Sequence, residues 1–247
     1  MSIIGISGYA KSGKDTVGKI VQYLTSEIRY PDYFTLEEIL EHIPNHATIH
    51  NQWVIKKWAG KLKVVASLLS GIPISKFEDQ DFKQGPMPNC WSKWKYNGKV
   101  GGTNVQPIFG NDPQIEPMSV RDFLQRLGTE AMRNGLHEDT WVNALMADYH
   151  EEEVVDRLAS DISRVHLPCK WVITDTRFPN EAIAIKNKGG IIIRINRPGV
   201  EAVNNHPSET SLDNWDFDHV INNDRDIEYL IDQMQEIMHK EKLLTYA

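Results

Sequence analysis

Short apolar runs alternate with amphipathic stretches along most of the chain. Ser2 to Ser7 forms the first run; after a Gly-containing turn over Gly8 to Gly13, Val17, Ile20, Val21 and Leu24 recur at helical spacing. Trp53 to Trp58 predicts a second strand, and Leu62, Val65, Ala66 and Leu69 line one face of a helix ending near Gly71. Three further runs, Trp171 to Thr174, Ile191 to Ile195 and His219 to Ile221, each border helical pattern, the last helix being marked by Ile227, Leu230, Ile231, Met234 and Met238. Strands that read as unbroken apolar runs, separated by helices, predict an α/β fold: a parallel five-stranded sheet flanked by helices on both faces.

Other stretches are less regular. TLEEILEHI predicts a short helix between Pro31 and Pro44, and further helix is expected from about Glu138 to Val165, with a break near Glu151. Gln84 to Pro117 crowds Gly, Pro and Asn among Trp91, Trp94, Tyr96 and Phe109, with Asn97-Gly98 as a hairpin signal, and reads as an insertion. Ser119 with Asp122 resembles a capping pair, followed by the apolar stripe Val120, Phe123, Leu124, Leu127 and Ala131 up to Gly135. The expected organisation is a single domain over 1–247, with 77–140 as a substrate-binding or lid insertion.

Composition narrows the function class. The 247 residues are 40% hydrophobic and 25% charged, and no apolar run approaches the roughly 20 residues a membrane helix needs. No secretory pattern stands at the N-terminus, so the cytoplasm is expected. Cys90 and Cys169 are far apart and outside any Cys-x-x-Cys pair, which speaks against a zinc site or a disulfide framework. A net charge of -7 without a basic block disfavours a nucleic-acid footprint while leaving room for small anionic ligands.

The turn Gly8-Tyr9-Ala10-Lys11-Ser12-Gly13-Lys14-Asp15-Thr16 carries the spacing G-x-x-x-x-G-K. Gly8 and Gly13 let backbone N–H groups converge on phosphate oxygens, Lys14 reaches the outer phosphates, and the helix N-terminus adds partial positive charge. With a strand before it and a helix after, the turn predicts a nucleoside triphosphate ligand. Asp15 stands where the pattern asks for Ser or Thr, and Thr16 follows one place later. Triphosphate repels a carboxylate there unless a cation lies between them or the carboxylate faces a second substrate. The same charge also suits a simple helix cap.

Asp175 ends the run from Trp171 at the strand end where ligands gather in open parallel sheets, the place of the acidic partner of Mg²⁺ in phosphate-loop proteins. Aspartate also begins turns for backbone reasons alone. Arg177 suits bidentate phosphate binding, and Glu181 follows at i+4; a surface ion pair is the plain alternative. Arg121, Arg126 and Arg133 lie on or beside the helix from Ser119, where movable cations fit a closing lid, although most helical arginines are solvated. His206 has no partner recognisable from sequence and reads as structural or exposed. Trp141, by propensity alone, belongs to the core.

The segments SGYAKSGKDT, KKWAGKLK, SVRDFLQRLGTEAMR, DTWV, VITDTRFPNEA, IIIRINRPG and HPSE followed by VINND span nearly the whole chain in one order. In that set the chain resembles the deoxynucleoside monophosphate kinases of tailed bacteriophages. The resemblance implies a P-loop kinase fold with a helical lid and an irregular insertion, using ATP and Mg²⁺ to convert dNMP into dNDP. By matched position it implies Gly8, Ser12, Gly13, Lys14 and Thr16 for ATP, and Asp15, Thr16 and Asp175 for the metal. Lys11, Asp15, Lys83, Arg121, Gln125, Gly128, Trp141, Asp175, Arg177 and Glu181 would surround the acceptor, with Lys14, Asp15, Asp175 and Arg177 as the catalytic set. Lys83 stands where the family carries an arginine beyond a KFEDQDF-like segment, and the aromatic insertion has no counterpart. The resemblance also suggests a homodimer in the host cytoplasm. The rival readings are another small-molecule P-loop kinase and a P-loop ATPase or GTPase switch; the acidic balance and Arg177 speak against the switch.

Overall fold

A computed structural model describes residues 2–26, 35–42, 53–96, 99–101, 114–156, 163–202 and 207–244. The chain divides into two compact units, Met1–Trp58 with Val142–Ala247, and Ala59–Trp141. Strand β1 (Ile3–Ser7) leads through the glycine turn into helix α1 (Lys14–Leu24), followed by α2 (Leu36–His42), β2 (Val54–Lys56) and α3 (Trp58–Ser70). The second unit holds most of α3, helix α4 (Gln80–Gln84), and an antiparallel sheet of β3 (Lys93–Tyr96), β4 (Lys99–Gly101) and β5 (Gln114–Glu116). It continues through α5 (Val120–Gln125) into a π-helical stretch, Arg126–Asn134. From α6 (Thr140–Met146) the chain returns to the first unit through the hairpin β6 (Glu151–Asp156) and β7 (Ser163–Pro168). Strand β8 (Trp171–Ile173), α7 (Pro179–Asn187), β9 (Ile191–Asn196), α8 (Pro207–Thr210), β10 (His219–Asn222) and α9 (Ile227–Lys240) complete it.

The main sheet has the order β10-β9-β1-β8-β2 with every pairing parallel. The period of two along each strand sorts its side chains into two layers. Ile4, Ile6, Val172, Ile193 and Ile195 face α1 and α9, joining Val17, Ile20, Val21, Leu230, Met234 and Met238. Ile3, Trp171, Ile173 and Ile192 take the opposite face with Ala182 and Ile185 of α7 and Val142 and Leu145 of α6. Burying both faces stabilises each fully enclosed Ile by about 1.5–3 kcal/mol and explains why these strands read as continuous apolar runs.

The helix expected from Glu138 to Val165 is only partly present. Thr140–Met146 is helical, but β6 and β7 pair antiparallel with Val154 opposite Val165 and Glu153 opposite His166. Pairing between the two segments, which no period within one stretch expresses, overrides the helical spacing read from the sequence. The hairpin signal fared better: Tyr96 pairs with Lys99 across Asn97-Gly98, which themselves lie outside the described residues. Ser119 Oγ accepts from the Asp122 N–H at 3.0 Å, as the capping pair predicts. Leu62 and Val65 pack with buried Ala66 in a separate core of the second unit, whereas Leu69 is exposed.

Gly190 enters β9 where a side chain has no room, since a Cβ there would lie 2.6 Å from the Ile3 carbonyl oxygen. Backbone cannot swing aside as a side chain can. We therefore expect Gly190→Ala to lower stability by about 1–3 kcal/mol, read as a lower denaturation midpoint with an unchanged slope; an unchanged midpoint would refute this tight β1–β9 approach.

Candidate active site

The glycine turn is built to leave backbone donors unsatisfied. Gly8 has φ 148° and Gly13 φ 104°, backbone regions that L side chains rarely adopt. A Cβ on Gly8 would also meet the Ile195 carbonyl oxygen at 2.6 Å. Gly13 is the N-cap of α1 and, lacking a side chain, leaves the first N–H groups of the helix uncapped. Such a terminus favours an anion through both its N–H groups and its dipole. Lys14 folds back over the turn, its Nζ donating to the carbonyls of Gly8 (2.7 Å) and Tyr9 (2.6 Å).

The turn is held from the side of β9 and β10. Asn223 Nδ2 donates to the Ser12 carbonyl at 2.9 Å and fills the space a Gly13 Cβ would take, while Arg197 Nη1 reaches the Lys11 carbonyl at 3.4 Å. Lys11 adopts φ 68° with an exposed side chain. The Arg194 guanidinium lies over the Tyr9 and Phe217 rings, 4.6 and 5.6 Å from their centroids, and pairs with Asp213 at 3.1 Å. Burial and the Asp213 carboxylate push the Tyr9 phenol above its ordinary value. Ser12 is buried, and its hydroxyl has no hydrogen-bond partner among the described residues.

Asp15 does not act as a helix cap by contact with its own N-terminus. One oxygen accepts from Thr174 Oγ1 at 2.6 Å, and both lie 3.1 Å from Lys57 Nζ. Crowding by the protein pushes its carboxyl up, but the Thr174 hydroxyl and the Lys57 ammonium outweigh this and hold it below the usual carboxylate value. Thr16, half-buried, follows in the first turn of α1.

The end of β8 supplies the second group of site residues. Asp175 Oδ1 accepts from the Trp58 N–H at 2.7 Å, tying this carboxylate to the start of α3. Glu181 is 2% exposed; its Oε2 accepts from the N–H groups of Arg177 (2.7 Å) and Phe178 (3.1 Å), so its carboxylate supports the turn that presents Arg177. Pro179, at the first helical position, gives up no N–H bond there. Arg177 Nη1 pairs with Glu209 Oε1 of α8 at 2.6 Å. His206, three residues before Glu209, lies outside the described residues.

In the second unit, Trp141 is buried and its Nε1 donates to the Gly128 carbonyl at 2.9 Å, so two of the predicted acceptor residues hold each other. Gly128 lies in the π-helical stretch, and a Cβ there would stand 3.0 Å from Leu62 of α3. Such stretches recur at functional sites. Gln125 ends α5 just before it. Arg121 is half-buried, its Nε without a hydrogen-bond partner among the described residues; Lys83 Nζ lies 3.5 Å from the Glu78 carbonyl, and Arg133 Nη1 lies 3.4 Å from the Glu138 carbonyl. Arg126 is exposed.

The family model of deoxynucleotide monophosphate kinases matches residues 96–234, more than half of the 247. The chain belongs to the deoxynucleotide monophosphate kinase family. It is accordingly a phosphotransferase, with a small-molecule nucleotide as substrate. A protein of Acanthamoeba polyphaga mimivirus, provisionally named for this activity, is 32% identical over 144 residues, covering 52% of this chain and 69% of its own. The deoxynucleotide monophosphate kinases of Escherichia phage RB69 and Enterobacteria phage T4 are 29% and 30% identical over 120 and 117 residues. Those alignments span 49% and 47% of this chain but only 45% and 44% of the phage proteins.

Several residues of this candidate site carry no motif in the sequence. Lys57, Thr174, Arg197 and Asn223 each follow directly on a strand of the parallel sheet, and Arg194 lies within β9. The rule that flagged Asp175, applied to every strand end, would have found the first four. Glu209 lies in the HPSE segment, where no spacing in the chain marks it as the partner of Arg177.

Lys14 gives this kinase a pH signature. Burial pulls its ammonium down to about 8, Arg177 adds to the effect, and Asp15, Glu209 and Asp175 oppose it. A bound triphosphate favours the charged form and raises that pKa. Affinity should therefore be full below pH 8 and fall as pH rises past 8 toward the bound-state pKa, with uptake of about half a proton on binding at pH 8. Calorimetry with a non-hydrolysable triphosphate in buffers of different ionisation enthalpy measures this; binding at pH 8 without proton uptake would show Lys14 untouched by the ligand.

Proposed function

We propose that the enzyme transfers the γ-phosphoryl group of ATP to the phosphate of a deoxynucleoside monophosphate, giving ADP and dNDP. One observation carries the reading: a glycine turn with uncapped helix N–H groups and Lys14 lies beside a second cation, Arg177, at the end of the adjacent parallel strand. The two cations are close enough that Arg177 helps depress the Lys14 ammonium. One nucleotide needs the first group, and its phosphate acceptor needs the second.

Within this reading Gly8, Ser12, Gly13 and Thr16, through the turn and the uncapped N-terminus of α1, bind the triphosphate together with the Lys14 ammonium. Arg177 holds the acceptor phosphate in line with the γ-phosphorus, and an oxygen of that phosphate attacks. No general base is needed, because the attacking phosphate is already ionised near neutral pH. Lys14 and Arg177 oppose the charge spread over the transferring group in a loose transition state. Mg²⁺ fits the available donors, since it is held through one or two carboxylates and completes its shell with hydroxyl, phosphate and water oxygens. Asp15, Thr16 and Asp175 would hold it, and when bound it neutralises charge on the phosphates.

Lys11, Lys83, Arg121, Gln125, Gly128 and Trp141 are proposed to bind the acceptor, with 77–140 as the substrate-binding or lid segment of a single kinase domain. Among the described residues no helix is long and apolar enough to cross a membrane. Action in the host cytoplasm as a homodimer, without nucleic acid, is part of the same proposal.

A coupled assay of ADP formation with the four dNMPs and their ribose counterparts tests the reaction. We expect Mg²⁺-dependent, acceptor-dependent turnover that chelation abolishes. Lys14→Ala should lose about 10³-fold or more in kcat, whereas Arg177→Ala should chiefly raise the acceptor KM. Acceptor-independent hydrolysis, or equal effects of both substitutions on both substrates, would reject the assignment.

A further inference from the structure

We propose that Glu209 is a positioning residue, whose carboxylate holds the Arg177 guanidinium in place for the acceptor phosphate. This rests on the role given to Arg177 above. Arginine side chains are long and mobile, and Arg177 is also repelled by Lys14 nearby. Left alone, it would swing toward solvent. Carboxylates from two different helices prevent this. Glu181 of α7, 2% exposed, accepts from the Arg177 N–H at 2.7 Å and fixes the backbone. Glu209 of α8 pairs with Nη1 at 2.6 Å and fixes the far end.

The second pair is not an ordinary surface ion pair. The Glu209 side chain is 12% exposed against 36% for Arg177, so the glutamate is the more enclosed partner of the pair. An enclosed carboxylate needs a cationic partner, which makes this pairing persistent. A guanidinium carries five N–H donors in a fixed fork, more than one carboxylate accepts, so pairing with Glu209 orients the group rather than consuming it. Glu209 thereby acts through Arg177, without touching the substrate, by removing rotamer freedom before the acceptor arrives.

The test is a double-mutant cycle on the full chain, with E209Q, R177A and the double variant assayed against each dNMP at saturating ATP and against ATP at saturating dNMP. E209Q keeps the shape of the side chain and removes its charge. We expect it to raise the acceptor KM about tenfold while kcat falls less and the KM for ATP stays within twofold, and to have no further effect in the R177A background. A merely structural glutamate would impair both substrates alike and add to R177A. An unchanged acceptor KM in E209Q, with R177A impaired, overturns the positioning role alone; a lowered KM overturns it too, because Glu209 would then compete with the phosphate. If R177A itself leaves acceptor use intact, the reading of Arg177 fails and this inference with it. Should E209Q not fold, E209D, which keeps the charge but withdraws it by one methylene, carries the same cycle with a smaller rise expected.

Discussion

Mutual repulsion among cations crowded at the ends of parallel strands is the constraint that organises the first unit. Lys57, Arg177 and Arg194 are each balanced by a carboxylate, Asp15, Glu209 and Asp213 respectively. Lys14 differs, donating to two neutral carbonyls of its own turn. Neutral partners give up a lysine more readily than charged ones, so an arriving phosphate can take over this ammonium while the three ion pairs keep their neighbours in place. The arrangement separates the cation that changes partner from those that hold the frame.

The frame itself follows from the sheet. Because β1 lies in the middle, with β9 on one side and β8 on the other, its C-terminal turn is reached by side chains from both neighbours. β9 and the segment beyond β10 contribute Arg194, Arg197 and Asn223, which grip the turn by ring, carbonyl and amide contacts. β8 leads into Thr174, Asp175 and Arg177, which meet Asp15, the start of α3 and Glu209. The two buried faces keep these strand ends in fixed register, so local side-chain chemistry inherits the stiffness of the core.

The elements legible from sequence were those whose pattern comes from burial. Ile191 to Ile195 and Trp171 to Thr174 could be read because both faces of their strands are enclosed, and α9 because its apolar stripe faces one continuous core. The hairpin β6–β7 could not be, since pairing between Val154 and Val165 is a contact across the turn that periodicity within a stretch does not express. The site divides in the same way. Gly8, Gly13 and Lys14 form a contiguous motif with its own conformational demands. Glu209 and Asn223 act on residues 32 and 211 positions away in the chain, and only folding brings them there. The Asp15 carboxylate raised a question of charge that sequence left with several answers; Lys57, from the end of β2, supplies a cation within the protein itself.

The grip of Asn223 on the Ser12 carbonyl has a chemical implication for the lifetime of the molecule. Its side-chain nitrogen must donate, and it does so in the space that Gly13 leaves empty. Spontaneous hydrolysis of that amide would put an acceptor against an acceptor and plant a negative charge beside the glycine turn. Ageing at this single group would thus convert a clasp on the turn into a repulsion.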